Sequence, residues 1–292
     1  MTAKTTGATS ESAMRAALAG TRALLLDMDG VIVSAGQLIP GAAEAIARLE
    51  TTDFPYRIVT NTSAVSRERL SFWSRRLGAD IPPERFLSAL SASAAYTARH
   101  YPGQPLYVLA SDDAKLEFGG QHLLTHDEAG AADASAAAVL IGDSPEEATF
   151  DNLNRAFRLV LRGATLIGMH RNPWWLTPEG PTLDSGSFVV GLEFSSGVKA
   201  VIAGKPSATF YSSAVADLRR QLGRSLARHD IAMVGDDIRS DVLAAKRSGL
   251  RGIFALSGKH GPADLAVAER ERGGGVPDAI TPSLAEVVAA LD

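Results

Sequence analysis

Two aspartates, Asp27 and Asp29, stand at the end of a short apolar run, within the segment from Leu24 to Val31. Residues two apart along an extended chain point the same way, so the two carboxylates are expected to face together. Asp29-Gly30 is also a common turn signal. A purely structural role for both acids has little support, however, because buried carboxylates are costly without a partner.

A second acidic cluster runs from Gly235 to Asp241 and also follows an apolar run. An acid in the first turn of a helix complements the helix dipole, which gives Asp241 a structural role and Asp237 a similar one. Asp236, nearest the strand end, is the least explained by structure. Oxygen ligands from the two clusters together suit Mg²⁺, which prefers few carboxylates and retained waters.

Three further polar residues stand where other apolar runs end. Thr60 and Asn61 follow the run 56–59, and Lys205 follows the run 199–203. A lone lysine is usually just solvated, and Thr-Asn at a strand end is ordinary turn chemistry. Beside three acids, however, a lysine can balance their charge and bind a phosphate oxygen, while Thr60 and Asn61 can donate hydrogen bonds to another.

The elements that must position these residues can be read from the apolar runs. Five runs are too short for helices and too uniformly apolar for half-exposed strands, so they predict strands buried on both faces. They are residues 22–26, 56–59, 199–203, 231–234 and 251–256. Helix-like stretches lie between them, at 41–50, 66–77 and 240–248. The alternation predicts an α/β fold, a Rossmann-like three-layer core whose parallel sheet binds ligands at the carboxyl ends of its strands.

The middle of the chain repeats the strand and helix pattern separately. We therefore predict an inserted, smaller α/β cap domain at residues 88–184, between two core segments at 21–87 and 185–292. Residues 1–20 are rich in Ala, Thr and Ser, and they predict a mobile tail with a short helix through Met14 to Leu18.

Two segments of the predicted cap have both a structural and a functional interpretation. Gly142-Asp143-Ser144 is interpreted as a strand-end turn, with contact to the substrate as the alternative. The Trp174-Trp175 pair is interpreted as part of the cap core, with a stacking platform as the alternative, and His170-Arg171-Asn172 lies beside it. None of the six histidines has the spacing of a metal site.

Composition excludes several classes of function. The net charge of −4, without a basic patch, argues against nucleic acid and against an anionic membrane surface as partners. No apolar run is long enough to cross a bilayer. The chain has no cysteine, which excludes disulfides and thiolate metal sites and fits a cytoplasmic protein.

In chain order, four strand ends supply Asp-x-Asp, Thr-Asn, Lys and Asp-Asp. This ordered set resembles the haloacid dehalogenase (HAD) superfamily of phosphohydrolases, whose four motifs come in that order. The insertion between the second and third motifs is similar to the large α/β cap of the NagD-like subclass IIA, the C2 type. The segments Gly204 to Ser207 and Met233 to Asp237, with Arg239 and Asp241, are most similar to the branch that contains phospholysine phosphohistidine inorganic pyrophosphate phosphatase.

The resemblance implies a role for each site residue. Asp27 would be the nucleophile that forms an aspartyl-phosphate, and Asp29 would be the general acid/base. The implied Mg²⁺ ligands are the Asp27 carboxylate, the Asp29 main-chain carbonyl and Asp236. The implied phosphate-binding residues are Thr60, Asn61 and Lys205. The implied supporting acids, which would orient waters or Lys205, are Asp237 and Asp241.

The function implied by the resemblance is a Mg²⁺-dependent phosphatase acting on a small phosphorylated metabolite, or on pyrophosphate or a phosphoamide. Two alternatives stay open. One is a phosphotransferase or phosphomutase that uses the same aspartyl-phosphate, and the other is a non-catalytic metabolite-binding member of the fold. The sequence does not select the substrate, and it leaves a homodimer open.

Overall fold

The computed structural model of the chain describes residues 8–177, 180–223, 225–270 and 275–291. The chain folds into two compact units. The first takes in the residues up to Thr60, the segment Ser71–Leu87 and the residues from Tyr211 onward, and the second takes in Asn61–Leu70 and Ser88–Phe210.

The elements alternate along the chain in the manner of an α/β protein. The strands are β1 (Ala23–Leu26), β2 (Val33–Ser34), β3 (Gln37–Leu38), β4 (Tyr56–Thr60), β5 (Phe86–Ser88), β6 (Leu106–Leu109), β7 (Ala138–Ile141), β8 (Thr165–Gly168), β9 (Trp174–Thr177), β10 (Gly180–Leu183), β11 (Val201–Ile202), β12 (Ile231–Gly235), β13 (Arg251–Ala255) and β14 (Ala279–Thr281). The helices are α1 (Glu11–Leu18), α2 (Ala42–Thr51), α3 (Arg67–Leu77), α4 (Ala89–His100), α5 (Asp112–Lys115), α6 (His126–Gly130), α7 (Phe150–Leu161), α8 (Ser185–Ser196), α9 (Ala208–Leu222), α10 (Ala244–Arg247), α11 (Pro262–Ala268) and α12 (Leu284–Ala289).

The first unit is built on a six-stranded sheet in the order β14-β13-β12-β1-β4-β5. The pairs from β14 through β4 are parallel. The residues of β1, β4 and β12 are all buried, which accounts for the mainly apolar sequence of these strands; in β4 the exceptions are Arg57 and Thr60. The predicted α/β fold class with a parallel sheet is confirmed.

The helix that follows β12 begins earlier than predicted and has a different form. A π-helical segment spans Ile238–Leu243 and continues into α10. Asp237 is its N-cap, and its side chain accepts hydrogen bonds from the main-chain N–H groups of Arg239 and Ser240. Apolar residues of the segment pack against Phe254 of β13. Sequence periodicity places a helix here, but it does not distinguish a π-helical turn from an α-helical one.

The second unit has a four-stranded parallel sheet in the order β11-β8-β7-β6. Alternate residues of these strands enter two apolar clusters, one with α4 and the other with α7 and α8. The sheet is therefore buried on both faces, as its short apolar strands predict. This unit takes in the predicted cap together with 61–70 and 185–210. The domain boundaries at 88 and 184 stay a prediction.

Two predictions about individual elements are wrong. The run 199–203 was expected to be a strand buried in the core sheet, but β11 pairs with β8 of the second sheet and is only half-buried. Trp174 and Trp175 were expected in an apolar core, but they are 56% and 48% exposed. Both tryptophans lie in β9, which forms a two-stranded antiparallel ribbon with β10.

The predicted tail is ordered where the structure describes it. Residues 1–7 lie outside the described residues. Thr9 exchanges hydrogen bonds with Ile280 of β14, and Met14 and Leu18 of α1 are buried. Apolar residues four apart on one helix face thus anchor this segment, contrary to the expectation of a mobile tail. No helix among the described residues has the length and apolar character needed to cross a membrane.

Candidate active site

The register of the first sheet brings the two acidic clusters together. In the parallel pairing of β1 with β12, Leu26 lies opposite Val234. The Asp27 N–H continues the ladder by donating to the Val234 carbonyl at 2.9 Å. Because both strands end at this level, Asp27 and Asp236 leave the sheet at the same edge.

Three buried carboxylates meet at this edge. Asp27, Asp236 and Asp241 are 7%, 4% and 0% exposed, and each offers a carboxylate oxygen within 4.8 Å of the others. Three like charges buried this closely repel one another strongly unless a cation balances them. The all-oxygen donor set fits a hard divalent cation such as Mg²⁺.

Glycines make the room that these side chains need. A Cβ at Gly30 would lie 2.3 Å from Asp236 Oδ2, and a Cβ at Gly258 would lie 2.0 Å from the same oxygen. A Cβ at Gly235 would lie 2.3 Å from the Asp241 Cβ. Gly30 also has a φ of +77°, which other residues rarely adopt. Asp236 is therefore held in a cradle that any larger residue at Gly30 or Gly258 would fill.

Main-chain amides orient the three carboxylates. The Met28 N–H donates to Asp27 Oδ1 at 2.7 Å, and the Lys259 N–H donates to Asp236 Oδ2 at 2.7 Å. The Asp237 N–H donates to Asp241 Oδ2 at 3.1 Å. Such bonds favour the ionised form of each acid and fix its direction.

Two neighbouring residues support the Asp241 segment. The Tyr211 hydroxyl, at the start of α9, donates to the Ser240 carbonyl at 2.6 Å and lies 3.2 Å from the Asp241 carbonyl. Lys259 Nζ lies 3.0 Å from Asp237 Oδ2. Burial by itself raises the pKa of Asp237, but the Lys259 ammonium and the helix amides outweigh it and hold that pKa below its usual value.

Asp29 and Thr60 complete the predicted residues of the first unit. Asp29 is exposed and forms an isolated bridge with Val33, just after Asp27. Thr60 ends β4, which pairs with β1, and it is 1% exposed. Thr60 thus ends one strand, and Asp27 directly follows the parallel strand beside it.

Asn61 and Lys205 lie together in the second unit. Asn61 Oδ1 accepts from the Lys205 N–H at 2.8 Å, and Asn61 Nδ2 donates to the Lys205 carbonyl at 3.1 Å. Lys205 is 3% exposed. These two residues are therefore in direct contact through the main chain of Lys205, and their phosphate-binding role stays a prediction.

Comparison with known proteins decides the family. The model of the haloacid dehalogenase-like hydrolases matches residues 24–123, and a HAD-hydrolase-like model matches residues 202–287. Haloacid dehalogenase-like hydrolase domain-containing protein 2 of Rattus norvegicus is 35% identical over 243 residues, which cover 83% of this chain and 87% of the relative. The chain belongs to the haloacid dehalogenase-like hydrolases.

Within this family the named relatives include phosphatases. Phospholysine phosphohistidine inorganic pyrophosphate phosphatase of Homo sapiens is 32% identical, over 85% of this chain and 87% of the relative. The crystal structure of 4-nitrophenylphosphatase from Thermotoga maritima has a TM-score of 0.82 at 25% identity and covers 94% of this chain and 99% of its own. NagD from E. coli has a TM-score of 0.77 at 25% identity, over 91% of this chain and 98% of its own. The predicted family, its NagD-like character and the enzyme class, a HAD-type phosphatase, are confirmed.

Two members of the site carry little signal in the sequence. Asp241 has an ordinary role as a first-turn acid, yet its carboxylate joins Asp27 and Asp236. The Lys259 amide bonds to Asp236, although the segment Lys259 to Gly261 has the composition of a surface loop. The position of this loop after β13, next to β12 in the sheet, is the signal that could have identified it.

Proposed function

We propose that this HAD-family phosphatase depends on Mg²⁺ and hydrolyses small phosphate monoesters through an aspartyl-phosphate on Asp27. The observation that carries the proposal is the group of three buried carboxylates, Asp27, Asp236 and Asp241, within 4.8 Å. Three carboxylates buried together supply the oxygen ligands that a divalent cation prefers, and attack of a carboxylate on a phosphate ester is assisted by such a cation.

In the proposal, Asp27 and Asp236 hold the cation with the main-chain carbonyl of Asp29, and Asp241 lies close enough to be a ligand or to orient its waters. When bound, Mg²⁺ supplies positive charge that offsets the repulsion between a carboxylate nucleophile and a phosphate dianion. Thr60 and Lys205 have the phosphate-binding role, in which the Lys205 ammonium balances the charge of the phosphate oxygens. Asn61 contributes to this role through its hydrogen bonds to the main chain of Lys205.

The chain's own residues divide the chemistry as follows. A carboxylate oxygen of Asp27 attacks phosphorus, and the bond to the leaving oxygen breaks. The Asp29 carboxyl gives its proton to that oxygen, then takes a proton from a water molecule that attacks the aspartyl-phosphate and frees Asp27. Asp29 is exposed, so it can exchange protons with solvent between cycles. Asp27 is buried and oriented by the Met28 amide, as a positioned nucleophile requires.

The substrate class is proposed from chemistry that the relatives share. The printed names of two relatives include 4-nitrophenylphosphatase and an inorganic pyrophosphate phosphatase. Both names describe a reaction at a terminal phosphoryl group, and we propose the same reaction for this chain. Pyrophosphate and phosphoamides are proposed as further substrates. A cytoplasmic location stays a prediction from the sequence, and the sequence leaves a homodimer open.

The test is Asp27→Asn, assayed with 4-nitrophenyl phosphate and Mg²⁺. The amide oxygen of the variant can still accept from the Met28 amide, so the fold is expected to persist while phosphate release falls to background. Asp151→Asn, at an exposed aspartate in α7, is the control and should keep full turnover. Near-wild-type turnover in Asp27→Asn would refute the mechanism.

Two further measurements separate the alternatives. EDTA should stop the reaction and Mg²⁺ should restore it. Borohydride reduction of the working enzyme, followed by mass spectrometry, should place the phosphoryl group on Asp27. Free phosphate released without an added acceptor supports hydrolysis, whereas transfer that requires an alcohol acceptor would identify a phosphotransferase.

A further inference from the structure

The side chain of Asn61 is occupied by the protein itself. Its Oδ1 accepts from the Lys205 N–H at 2.8 Å, and its Nδ2 donates to the Lys205 carbonyl at 3.1 Å and, over a longer 3.4 Å, to Asn172 Oδ1. A side-chain amide has two N–H donors, and each of them here has an acceptor. The amide of Asn61 therefore braces both main-chain groups of Lys205.

The approach of Asn61 to this segment depends on Gly204. A Cβ at Gly204 would lie 2.6 Å from Asn61 Oδ1 and 2.6 Å from the Met169 carbonyl oxygen. Neither neighbour could give way easily, because one is hydrogen-bonded to Lys205 and the other is main chain. The absence of a side chain at Gly204 therefore allows Asn61 to contact the main chain of Lys205.

Asn172 connects Asn61 to a buried pair. Its side chain is hydrogen-bonded to the Asp184 carboxylate, and its main-chain N–H donates to His170 Nδ1 at 3.3 Å. Gly186 lets the two segments meet closely, since a Cβ there would lie 2.2 Å from the Asn172 carbonyl oxygen. Asn172 is therefore fixed through both its side chain and its main chain.

His170 and Asp184 form a buried pair whose polar atoms are held by several hydrogen bonds. His170 is 2% exposed, and its Nε2 lies 3.1 Å from Ser185 Oγ and 3.4 Å from Asp184 Oδ1. Because Nδ1 accepts from Asn172, we assign the proton of the neutral ring to Nε2, which faces these two oxygens. Asp184 Oδ1 also accepts from the Ser185 N–H at 2.7 Å and so caps α8.

We propose that Asn61 is a positioning residue for Lys205, and that His170 and Asp184 hold Asn61 in place through Asn172. The inference rests on the proposed function in one respect, the binding of phosphate by Lys205. Asn61 acts by fixing the main chain from which the lysine side chain extends. The effect of the network is on affinity for the phosphate group, and Asp27 performs the chemistry independently of it.

A double-mutant cycle tests whether Asn61 acts through Lys205. The dissociation constant of inorganic phosphate is measured by calorimetry, with Mg²⁺ present, for wild type, Asn61→Ala, Lys205→Ala and the double variant. We expect Asn61→Ala to weaken phosphate binding roughly ten-fold in the wild-type background and to have no further effect in Lys205→Ala. Effects that multiply would overturn the inference. If Lys205→Ala alone leaves the affinity unchanged, the phosphate-binding role of Lys205 fails, and the inference fails with it.

A second comparison separates positioning from general stability. Asn172→Ala is paired with Asn152→Ala, since Asn152 is a buried asparagine of the same unit whose Nδ2 donates to the Glu147 carbonyl at 3.0 Å. Both variants are expected to lower the thermal midpoint. Only Asn172→Ala should raise KM for 4-nitrophenyl phosphate several-fold, with a smaller change in kcat. Equal KM values in the two variants would reduce the network to a structural role and overturn the proposal.

Discussion

The Asp236 carboxylate occupies the space that a side chain on Gly30 would need. A Cβ at Gly30 would lie 2.3 Å from Asp236 Oδ2 and 2.4 Å from its Cγ. Gly30 follows the first acidic pair in sequence, and Asp236 leads the second. Gly30, in the first acidic motif, therefore leaves the space that Asp236, from the C-terminal half of the chain, occupies.

Gly30→Ala should consequently lower turnover of 4-nitrophenyl phosphate on the order of 100-fold, because displacement of a reacting or ligating group by about 1 Å has that cost. Gly36→Ala is a matched control, since Gly36 has a φ of +75° against +77° for Gly30 but no atom within 4 Å of its added Cβ. Both variants carry the strain of a left-handed residue, about 1–2 kcal/mol. Equal activity in the two variants would show that the Asp236 contact is unimportant.

Removing one of the three buried charges should stabilise the metal-free protein and weaken its binding of Mg²⁺. In Asp241→Asn the amide oxygen can still accept from the Asp237 N–H, but the repulsion among the acids falls. Without metal we expect a thermal midpoint about 2–4 °C above wild type. The Mg²⁺ concentration for half-maximal activity should rise about 10- to 100-fold.

Asp151→Asn, on the surface of α7, serves as the control for Asp241→Asn and should change neither quantity. An unchanged Mg²⁺ requirement in Asp241→Asn would exclude Asp241 from the cation site.

Burial lowers the pKa of His170 to about 4, against an ordinary value of 6.5. Between these values the unfolded chain binds a proton that the folded ring does not, so stability falls as the pH drops from 6.5 towards 4. Asp143 and Asp184 face the ring, and burial raises the pKa of each above 3.8, so their contribution has the opposite sign.

We expect His170→Gln to remove on the order of 2 kcal/mol of the change in unfolding free energy between pH 7 and pH 4.5. Urea denaturation at the two pH values measures the difference. His229→Gln, at an exposed histidine, should preserve the wild-type dependence. An identical pH dependence in His170→Gln and wild type would mean that His170 titrates normally.

The Tyr211 hydroxyl should matter to the metal site as well as to stability. Tyr211→Phe leaves the Ser240 carbonyl without the 2.6 Å bond and should cost about 1 kcal/mol of unfolding free energy. It should also raise the Mg²⁺ concentration for half-maximal activity several-fold, because the bond fixes the main chain next to Asp241.

Tyr107→Phe is the control for Tyr211→Phe, since Tyr107 is equally buried and its hydroxyl lies 2.9 Å from His126 Nδ1 in the second unit. It should lower stability to a similar extent and leave the metal requirement unchanged. A parallel change in both variants would assign Tyr211 a purely structural role.

The sequence predicts the fold class and most of the first unit because buried parallel strands have a simple pattern. The apolar runs that become β1, β4, β12 and β13 each end in polar residues, and the sheet does carry those residues to one edge. The pairing of β1 with both β12 and β4 places Asp27 between Asp236 and Thr60 in strand order. The roles of the individual site residues stay a prediction.

What the sequence does not predict depends on contacts between distant segments. The run 199–203 is as apolar as a core strand, and only its hydrogen bonds to β8 assign it to the second sheet. The Trp174-Trp175 pair is apolar in composition, but a two-stranded ribbon does not bury it. The role of Gly30 and Gly258 cannot be predicted from the sequence, because it depends on two distant loops that meet around the Asp236 carboxylate.

The register that pairs Leu26 with Val234 also determines which genetic changes this chain can tolerate. Exchange of one apolar residue for another inside β12 leaves the ladder in step with β1. Deletion of a single codon there would instead draw Asp237 to the place of Asp236 and turn the strand's side chains to the opposite faces. We therefore expect the length of β12 to tolerate change less than its composition does. Deletion of any single residue from Ile231 to Val234 should inactivate the enzyme.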